Sequence, residues 1–287
     1  MDVFNQVANL RAAVSAWRRA GQRIGFVPTM GNLHAGHYAL IDAARSRCDK
    51  VVASVFVNPT QFGPNEDFAR YPRTPEQDIE GLHAHGCDAV LLPEVETMYP
   101  FGSGACVAVE VPSLSDVLCG AFRPGHFAGV ATVVLRLFNM VQPDLAVFGR
   151  KDLQQLELIR YLVRDLALPI EILGMPTQRE ADGLARSSRN QYLSPAERAL
   201  APQIHANLRI MLTAAAAGEA ATAVEGAAAE RLRAAGFCVD YAVLRREGQL
   251  AEPLAGQVAA VPDLVALIAA RLGKTRLIDN LAASELG

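Results

Sequence analysis

Residues 23–37 read R-I-G-F-V-P-T-M-G-N-L-H-A-G-H. After Arg23 the segment is apolar or small and reaches a proline at residue 28, the profile of a buried strand that stops there. Residues 37–47 then place Leu40, Ile41 and Ala44 on one face at helical spacing. A strand running through a glycine-containing turn into a helix is the unit of an open α/β sheet. In such sheets ligands bind beyond the carboxyl ends of the strands.

Working outward, the same unit recurs. Residues 51–57 (V-V-A-S-V-F-V) are almost wholly apolar, as a strand buried on both faces should be. Residues 74–85 read as a helix and 89–92 as a short strand ended by Pro93. Residues 125–141 form a long helix, 144–148 a strand, 152–166 a helix and 170–173 a strand. Short buried strands alternating with helices predict a Rossmann-like α/β architecture, a parallel sheet flanked by helices. Near Pro176 the character changes. From about Ala196 the chain is helix-rich and alanine-rich, which suits helix propensity and tight packing. A strand over 237–244, a short segment ended by Pro262 and a last strand over 276–280 complete a smaller α+β part. The boundary falls within 173–178, predicting domains of 1–176 and 177–287.

The 287 residues carry 51% hydrophobic and 20% charged residues, enough for a sizeable core and unlike a disordered chain. Lys plus Arg total 27 against 30 Asp plus Glu, a formal charge of -3, so no basic footprint for nucleic acid or an anionic membrane is present. No apolar run reaches the roughly 18 residues that span a bilayer. Early Asp2, Asn5 and Arg11 are unlike a signal peptide. The expectation is a cytoplasmic protein. Five scattered cysteines with no C-x-x-C pair argue against a disulfide framework or a thiolate zinc site and predict buried, reduced thiols.

Five polar clusters carry the candidate chemistry. In the first, Pro28 to His37, Gly31 and Gly36 would let backbone approach a phosphate, and His34 and His37 would meet it at a helix N-terminus starting near His37. Two histidines that merely cap a helix, or an H-x-x-H metal pair lacking a third ligand, are the competing readings. The second, residues 56–67, follows a strand and offers Asn58 and Gln61, neutral groups that fix hydroxyls and carboxylates without titrating. The third, residues 120–127, sets Arg123 and His126 before the long helix, another phosphate-ready terminus. The fourth, residues 148–155, holds Lys151, a point charge for a polyphosphate, then Asp152 as a helix cap and Gln155 one turn on. The fifth, residues 179–190, joins an Asp182-Gly183 turn to Ser187, Ser188 and Arg189.

Together these blocks resemble the pantothenate synthetase family, the pantoate–β-alanine ligases of the H-x-G-H nucleotidyltransferase superfamily. The likeness rests on P-T-M-G-x-L-H-x-G-H (28–37), F-V-N-P-x-Q-F-G-P-N-E-D (56–67), R-P-G-H-F-x-G-V (123–130), F-G-x-K-D-x-Q-Q (148–155), R-E-x-D-G-L-A-x-S-S-R-N-x-Y-L (179–193) and T-R-L-I-D-N (275–280), so it covers essentially the whole chain. Asn32 departs from the alanine usual there and would perturb the histidine loop slightly.

The resemblance implies ATP-dependent condensation of (R)-pantoate with β-alanine through a pantoyl adenylate, releasing pyrophosphate and AMP. It assigns the ATP site to Met30, Gly31, Asn32, Leu33, His34, Ala35, Gly36 and His37. Gly149, Arg150, Lys151 and Asp152, Gln178, and Arg186, Ser187, Ser188 and Arg189 complete it. His34, His37, Lys151 and Arg189 would serve the chemistry. Gln61 and Gln155 would hold pantoate beside Asn58, and Gln61 would also meet β-alanine. Mg²⁺ would ride on the ATP phosphates, and no residue of the chain is singled out as a metal ligand. The family is typically a cytoplasmic homodimer, and its second domain would close over ATP as a lid. Two rivals remain at this stage: another H-x-G-H nucleotidyltransferase whose nucleotide-linked product persists, and a nucleotide-binding protein without catalysis.

Overall fold

The computed structural model describes residues 1–64, 66–253 and 263–286; Asn65 of the second cluster and the segment end at Pro262 lie outside the described residues. The chain divides into two compact units, Met1–Gly149 with Gln155–Pro176, and Arg150–Gln154 with Thr177–Gly287. A single cut after residue 176 therefore misses one excursion. Arg150–Gln154 belongs with the second unit, where Asn280 Nδ2 donates to the carbonyls of Arg150 and Lys151, both at 2.9 Å, and Arg150 pairs with Glu247 at 2.6 Å.

The first unit runs β1 (Asp2–Phe4), α1 (Val7–Arg19), β2 (Ile24–Thr29), α2 (Ala35–Arg45), β3 (Lys50–Val55), α3 (Pro75–Ala84) and β4 (Ala89–Leu91). Short helical turns α4 (Val95–Met98), α5 (Pro112–Ser115) and α6 (Cys119–Phe122) follow, then α7 (His126–Val141), β5 (Leu145–Gly149), α8 (Leu153–Asp165) and β6 (Glu171–Met175). All six strands are parallel, in the order β1-β4-β3-β2-β5-β6. The winding thus runs outward from β2 through β3 and β4, then reverses to β5 and β6. The reversal opens a crevice between the carboxyl ends of β2 and β5, the place where open α/β sheets bind ligands.

Both faces of the sheet are covered, which explains the near-continuous apolar strands. Val27, Val51, Ala53, Val90 and Val147 pack in one cluster with Leu40, Ile41 and Ala44 of α2 and Leu82 of α3. Phe26 and Phe148 each meet Phe138 of α7 edge-on at 6.4 Å. In α7, Val130, Val134, Leu137, Phe138 and Val141 recur at helical spacing and are buried.

In the second unit β7 (Cys238–Arg246), β8 (Leu264–Leu272) and β9 (Thr275–Ala282) form an antiparallel sheet in chain order. α9 (Pro195–Leu200), α10 (Gln203–Ala216) and α11 (Ala221–Ala234) precede it. Ala215 and Ala228 are fully buried against this sheet with Leu208, Met211 and Leu232, so the alanines serve close packing. The sequence reading omits β1, α1 and β8. β1 is three residues, α1 buries only Leu10 and Val14, and β8 is an apolar run, interrupted only at Arg271, without the alternation that sequence period could assign. Among the described residues no helix is long and apolar enough to cross a membrane. Cys48, Cys87 and Cys119 are buried free thiols, with Cys87 pushed up to about 12 by burial; Cys106 is half-buried and Cys238 exposed, against the expectation of burial.

Gly129 marks where α7 meets the turn 59–61. A side-chain carbon there would stand 2.5 Å from the Thr60 carbonyl oxygen and 2.8 Å from Gln61 Cα, both backbone atoms. Gly129→Ala should therefore destabilise by about 1–3 kcal/mol, the range for overpacking, despite the ~0.5–1 kcal/mol that alanine gains in a helix. A urea midpoint equal to or above that of the parent would show that the turn shifts without cost.

Candidate active site

At the carboxyl end of β2 the chain turns through Gly31 at φ +83° and Asn32 at φ +50°. Both lie in the left-handed region, which asparagine tolerates better than alanine. Asn32 therefore suits this loop, correcting the expectation that it perturbs it. Thr29 Oγ1 donates to the Ser54 carbonyl at 2.8 Å and accepts from Gly31 N at 3.2 Å. The next two amides go to a carboxylate: Asn32 N donates to Asp78 Oδ2 at 3.0 Å and Leu33 N to Asp78 Oδ1 at 2.8 Å. The glycine turn was expected to offer its backbone to phosphate; its amides instead hold Thr29 and Asp78. Asp78 is missing from the sequence reading because nothing in 74–85 distinguishes it from another surface acid of a helix first turn.

The helix begins at Ala35, two residues before the expected start, because His34 is its cap. His34 Nδ1 accepts from Gly36 N at 3.1 Å, and His37 Nδ1 accepts from the His34 amide at 3.3 Å. This is a capping box built from two imidazoles. A nitrogen that accepts carries no proton, so the hydrogen of each neutral ring sits on Nε2. The rings lie 4.2 Å apart, centroid to centroid. Capping and phosphate binding are thus compatible: Nδ1 does the first, and Nε2–H is the donor for the second.

Asn58 and Gln61 follow β3. Asn58 is 1% exposed and Gln61 7%. Asn58 Nδ2 donates to Gln61 Oε1 at 3.1 Å and to the Gly129 carbonyl at 3.2 Å. Its Oδ1 accepts from Tyr99 Oη at 2.7 Å, Thr60 Oγ1 at 3.0 Å and Thr60 N at 3.3 Å. With both amide hydrogens and its oxygen engaged inside the protein, Asn58 orients Gln61, a different task from the substrate contact expected of it. Gln61 Oε1 is pinned, so its Nε2, 3.2 Å from Met30 Sδ, is the edge that donates.

The third cluster is also used internally. Arg123 donates to both Glu66 oxygens at 2.6 Å, a bidentate pair, and its third nitrogen lies 2.9 Å from His126 Nε2. His126 Nδ1 is 2.7 Å from the Gln61 carbonyl, which can only accept. His126 therefore donates from Nδ1 and accepts from Arg123 at Nε2. The chain Glu66–Arg123–His126 steadies the Gln61 backbone, correcting the reading of Arg123 and His126 as a phosphate terminus. Burial raises the Glu66 carboxyl, but the Arg123 hydrogen bonds and charge outweigh it and leave Glu66 below the usual range.

In the second unit Lys151 Nζ pairs with Asp152 at 3.0 Å within the 3-10 turn Arg150–Asp152 that leads into α8. The Gln178 carbonyl accepts from Arg186 N at 2.8 Å, closing a hairpin over the Asp182-Gly183 turn, and Arg186 pairs with Glu180 at 3.1 Å. Ser187 caps the next turn by accepting from Arg189 N, with Ser188 and Arg189 half-buried behind it. Arg179 grips Asp279 with two nitrogens, at 2.6 and 3.1 Å, and donates to the Asn280 carbonyl, so R-E-x-D-G and T-R-L-I-D-N support one another. Gln155 lies in the first unit on α8, half-buried.

A parallel sheet that reverses its winding beside a capped helix N-terminus defines the class of α/β proteins that take phosphorylated ligands at the strand ends. The pantoate–β-alanine ligase family model matches residues 2–282. Pantothenate synthetase of Xylella fastidiosa is 59% identical over 98% of this chain and 99% of its own, and that of Xanthomonas oryzae is 58% identical over the same shares. The crystal structure of pantothenate synthetase from Thermus thermophilus is 46% identical, with TM-score 0.90 over 100% of this chain and 99% of that one. The Francisella tularensis ligase, solved with β,γ-ATP and β-alanine, is 33% identical, with TM-score 0.82 over 99% and 98%. The chain belongs to the pantoate–β-alanine ligase family, and is a ligase that forms pantothenate from pantoate and β-alanine.

The Glu66 pair carries a pH signature. A carboxyl held below its ordinary value adds stability above the unfolded pKa, about 4.3, and loses it as pH falls through the folded value. Urea unfolding should find Glu66→Gln less stable than the parent at pH 7, with the gap closing below about pH 4. A gap independent of pH would remove the Glu66–Arg123 charge pair from the explanation.

Proposed function

We propose that the ligation runs through a pantoyl adenylate, with the pantoate carboxylate attacking the α-phosphorus of ATP and β-alanine then displacing AMP from the acyl carbon. The observation that carries this reading is the double-imidazole cap, which commits both rings to an Nε2–H tautomer at a helix N-terminus. Those donors suit an α-phosphoryl oxygen as charge builds on it. Two anions must meet in this step, so Lys151 and Arg189 offset charge on the phosphates, and Arg186, Ser187 and Ser188 close over them. Gly149 to Asp152 and Gln178 serve the nucleotide. Gln61 and Gln155 hold pantoate by neutral donors, and Gln61 also receives β-alanine. The ATP and β-alanine in the Francisella tularensis structure support this choice of substrates.

Mg²⁺ would be carried in on the ATP phosphates and would offset their charge. We assign the second unit the part of lid, and the protein the cytoplasmic homodimer habit of its family. Sizing by light scattering at twice the monomer mass tests the dimer.

His37→Ala and Lys151→Ala should each lower turnover about 100- to 1,000-fold, the cost of one transition-state donor, while leaving a cooperative melt. Near-normal turnover would remove that residue from the mechanism. The adenylate itself should appear as pantoate-dependent exchange of labelled pyrophosphate into ATP without β-alanine. Exchange that needs β-alanine would replace it with a concerted reaction, and exchange without pantoate would favour a different nucleotidyl transfer.

A further inference from the structure

We propose that Asp78 is a positioning residue for the ATP step, holding the turn that carries His34 and His37 in its working shape. The inference rests on the adenylate reading above and extends it to a residue outside the histidine motif. Gly31 and Asn32, in succession at positive φ, fold the backbone into a concave nest whose amides converge on one anion. Such nests commonly hold a phosphate; here the anion is the protein's own. One Asp78 oxygen takes the Asn32 amide and the other the Leu33 amide, and the Thr74 hydroxyl donates to Oδ1 at 3.3 Å. Asp78 is 1% exposed, so water cannot replace these contacts cheaply. The fit is close: a side-chain carbon on Gly31 would stand 2.9 Å from Asp78 Oδ2 and 2.9 Å from Val55 Cγ1.

The grip has two consequences. It removes the Asn32 and Leu33 amides from phosphate binding, leaving that task to the imidazoles and the α2 terminus. It also ties the residue preceding His34 to α3, so the capping histidine starts from a fixed backbone. Because His37 Nδ1 accepts from the His34 amide, both rings inherit that position. Catalytic groups misplaced by about 1 Å lose up to roughly 100-fold in rate.

Asp78→Asn is the direct test. Asparagine keeps the shape but turns an NH₂ toward a backbone N–H, so one of the two amides loses its acceptor. The expected result is a 10- to 100-fold fall in kcat/KM for ATP, with pantoate-dependent pyrophosphate exchange slowed alike. The Kd for pantoate by calorimetry should stay within about twofold. Amide hydrogen exchange should quicken at residues 32–34 and remain unchanged within α2 beyond its first turn. Wild-type kinetics with a folded variant, or exchange that quickens evenly across the unit, would overturn the proposal. If Asp78→Asn does not fold, Thr74→Val gives the second reading. A smaller loss confined to ATP supports the grip, and unaltered ATP kinetics and amide exchange refute it. Wild-type protein without pantoate-dependent exchange would defeat the adenylate reading alone, since the amide-exchange pattern still reports the Asp78 contact.

Discussion

The backbone ladder of β2 is bonded to β3 on one side and to β5 on the other, and the rest of the site follows from that placement. Because the connections run in opposite directions from these neighbours, the ends of β2 and β5 flank the switch point where open α/β sheets bind ligands. Loops can enter it. The turn 29–37 grows from one of these strand ends, and the lysine-bearing segment begins where the other stops, at Gly149. The parallel sheet itself is stable only because helices bury both faces, so the cost of an open crevice is met by the packing of α2, α3 and α7 elsewhere.

Around that crevice hydrogen-bond direction is decided step by step. Carbonyls and backbone amides have one role each, and they impose roles on the groups that can switch. The Gln61 carbonyl makes His126 a donor at Nδ1, which leaves Nε2 to accept from Arg123. The amides of Gly36 and His34 make both capping imidazoles acceptors at Nδ1. Asn58, with its oxygen engaged by Tyr99 and Thr60, can only donate to Gln61, and so leaves the NH₂ of Gln61 to donate toward Met30 Sδ. Arg123, the cation of this network, is paired with Glu66, so the polarity at Asn58 and Gln61 is neutral and directional. Under the proposed adenylate route, such neutral donors would hold the carboxylate nucleophile without a cation quenching it before it attacks phosphorus.

The strand–turn–helix over 23–37, the buried strands and the family itself are legible in the amino-acid sequence, because each depends on contiguous residues. Apolar runs, prolines and glycines act locally, and each of the six motif blocks lies in a single stretch. The start of α2 at Ala35 and the strand β8 escape for local reasons too: a histidine is an unusual cap, and an alanine-rich apolar run has no period to read.

What only the tertiary structure decides is which polar residue meets which. Asp78 reaches amides more than forty positions earlier in the chain, and Arg123 meets an acid 57 residues away. Asn280 fastens the carbonyls of Arg150 and Lys151 from near the far end of the chain. In sequence these are an ordinary helix acid, a loop cation and a strand amide. Their roles appear only when folding removes them from water, since a buried polar group must find a partner and geometry offers it few. Sequence alone therefore determines the fold class and the family. The assignment of Asn58 to orientation, of Arg123 and His126 to support, and of Asp78 to the histidine turn comes from burial and distance.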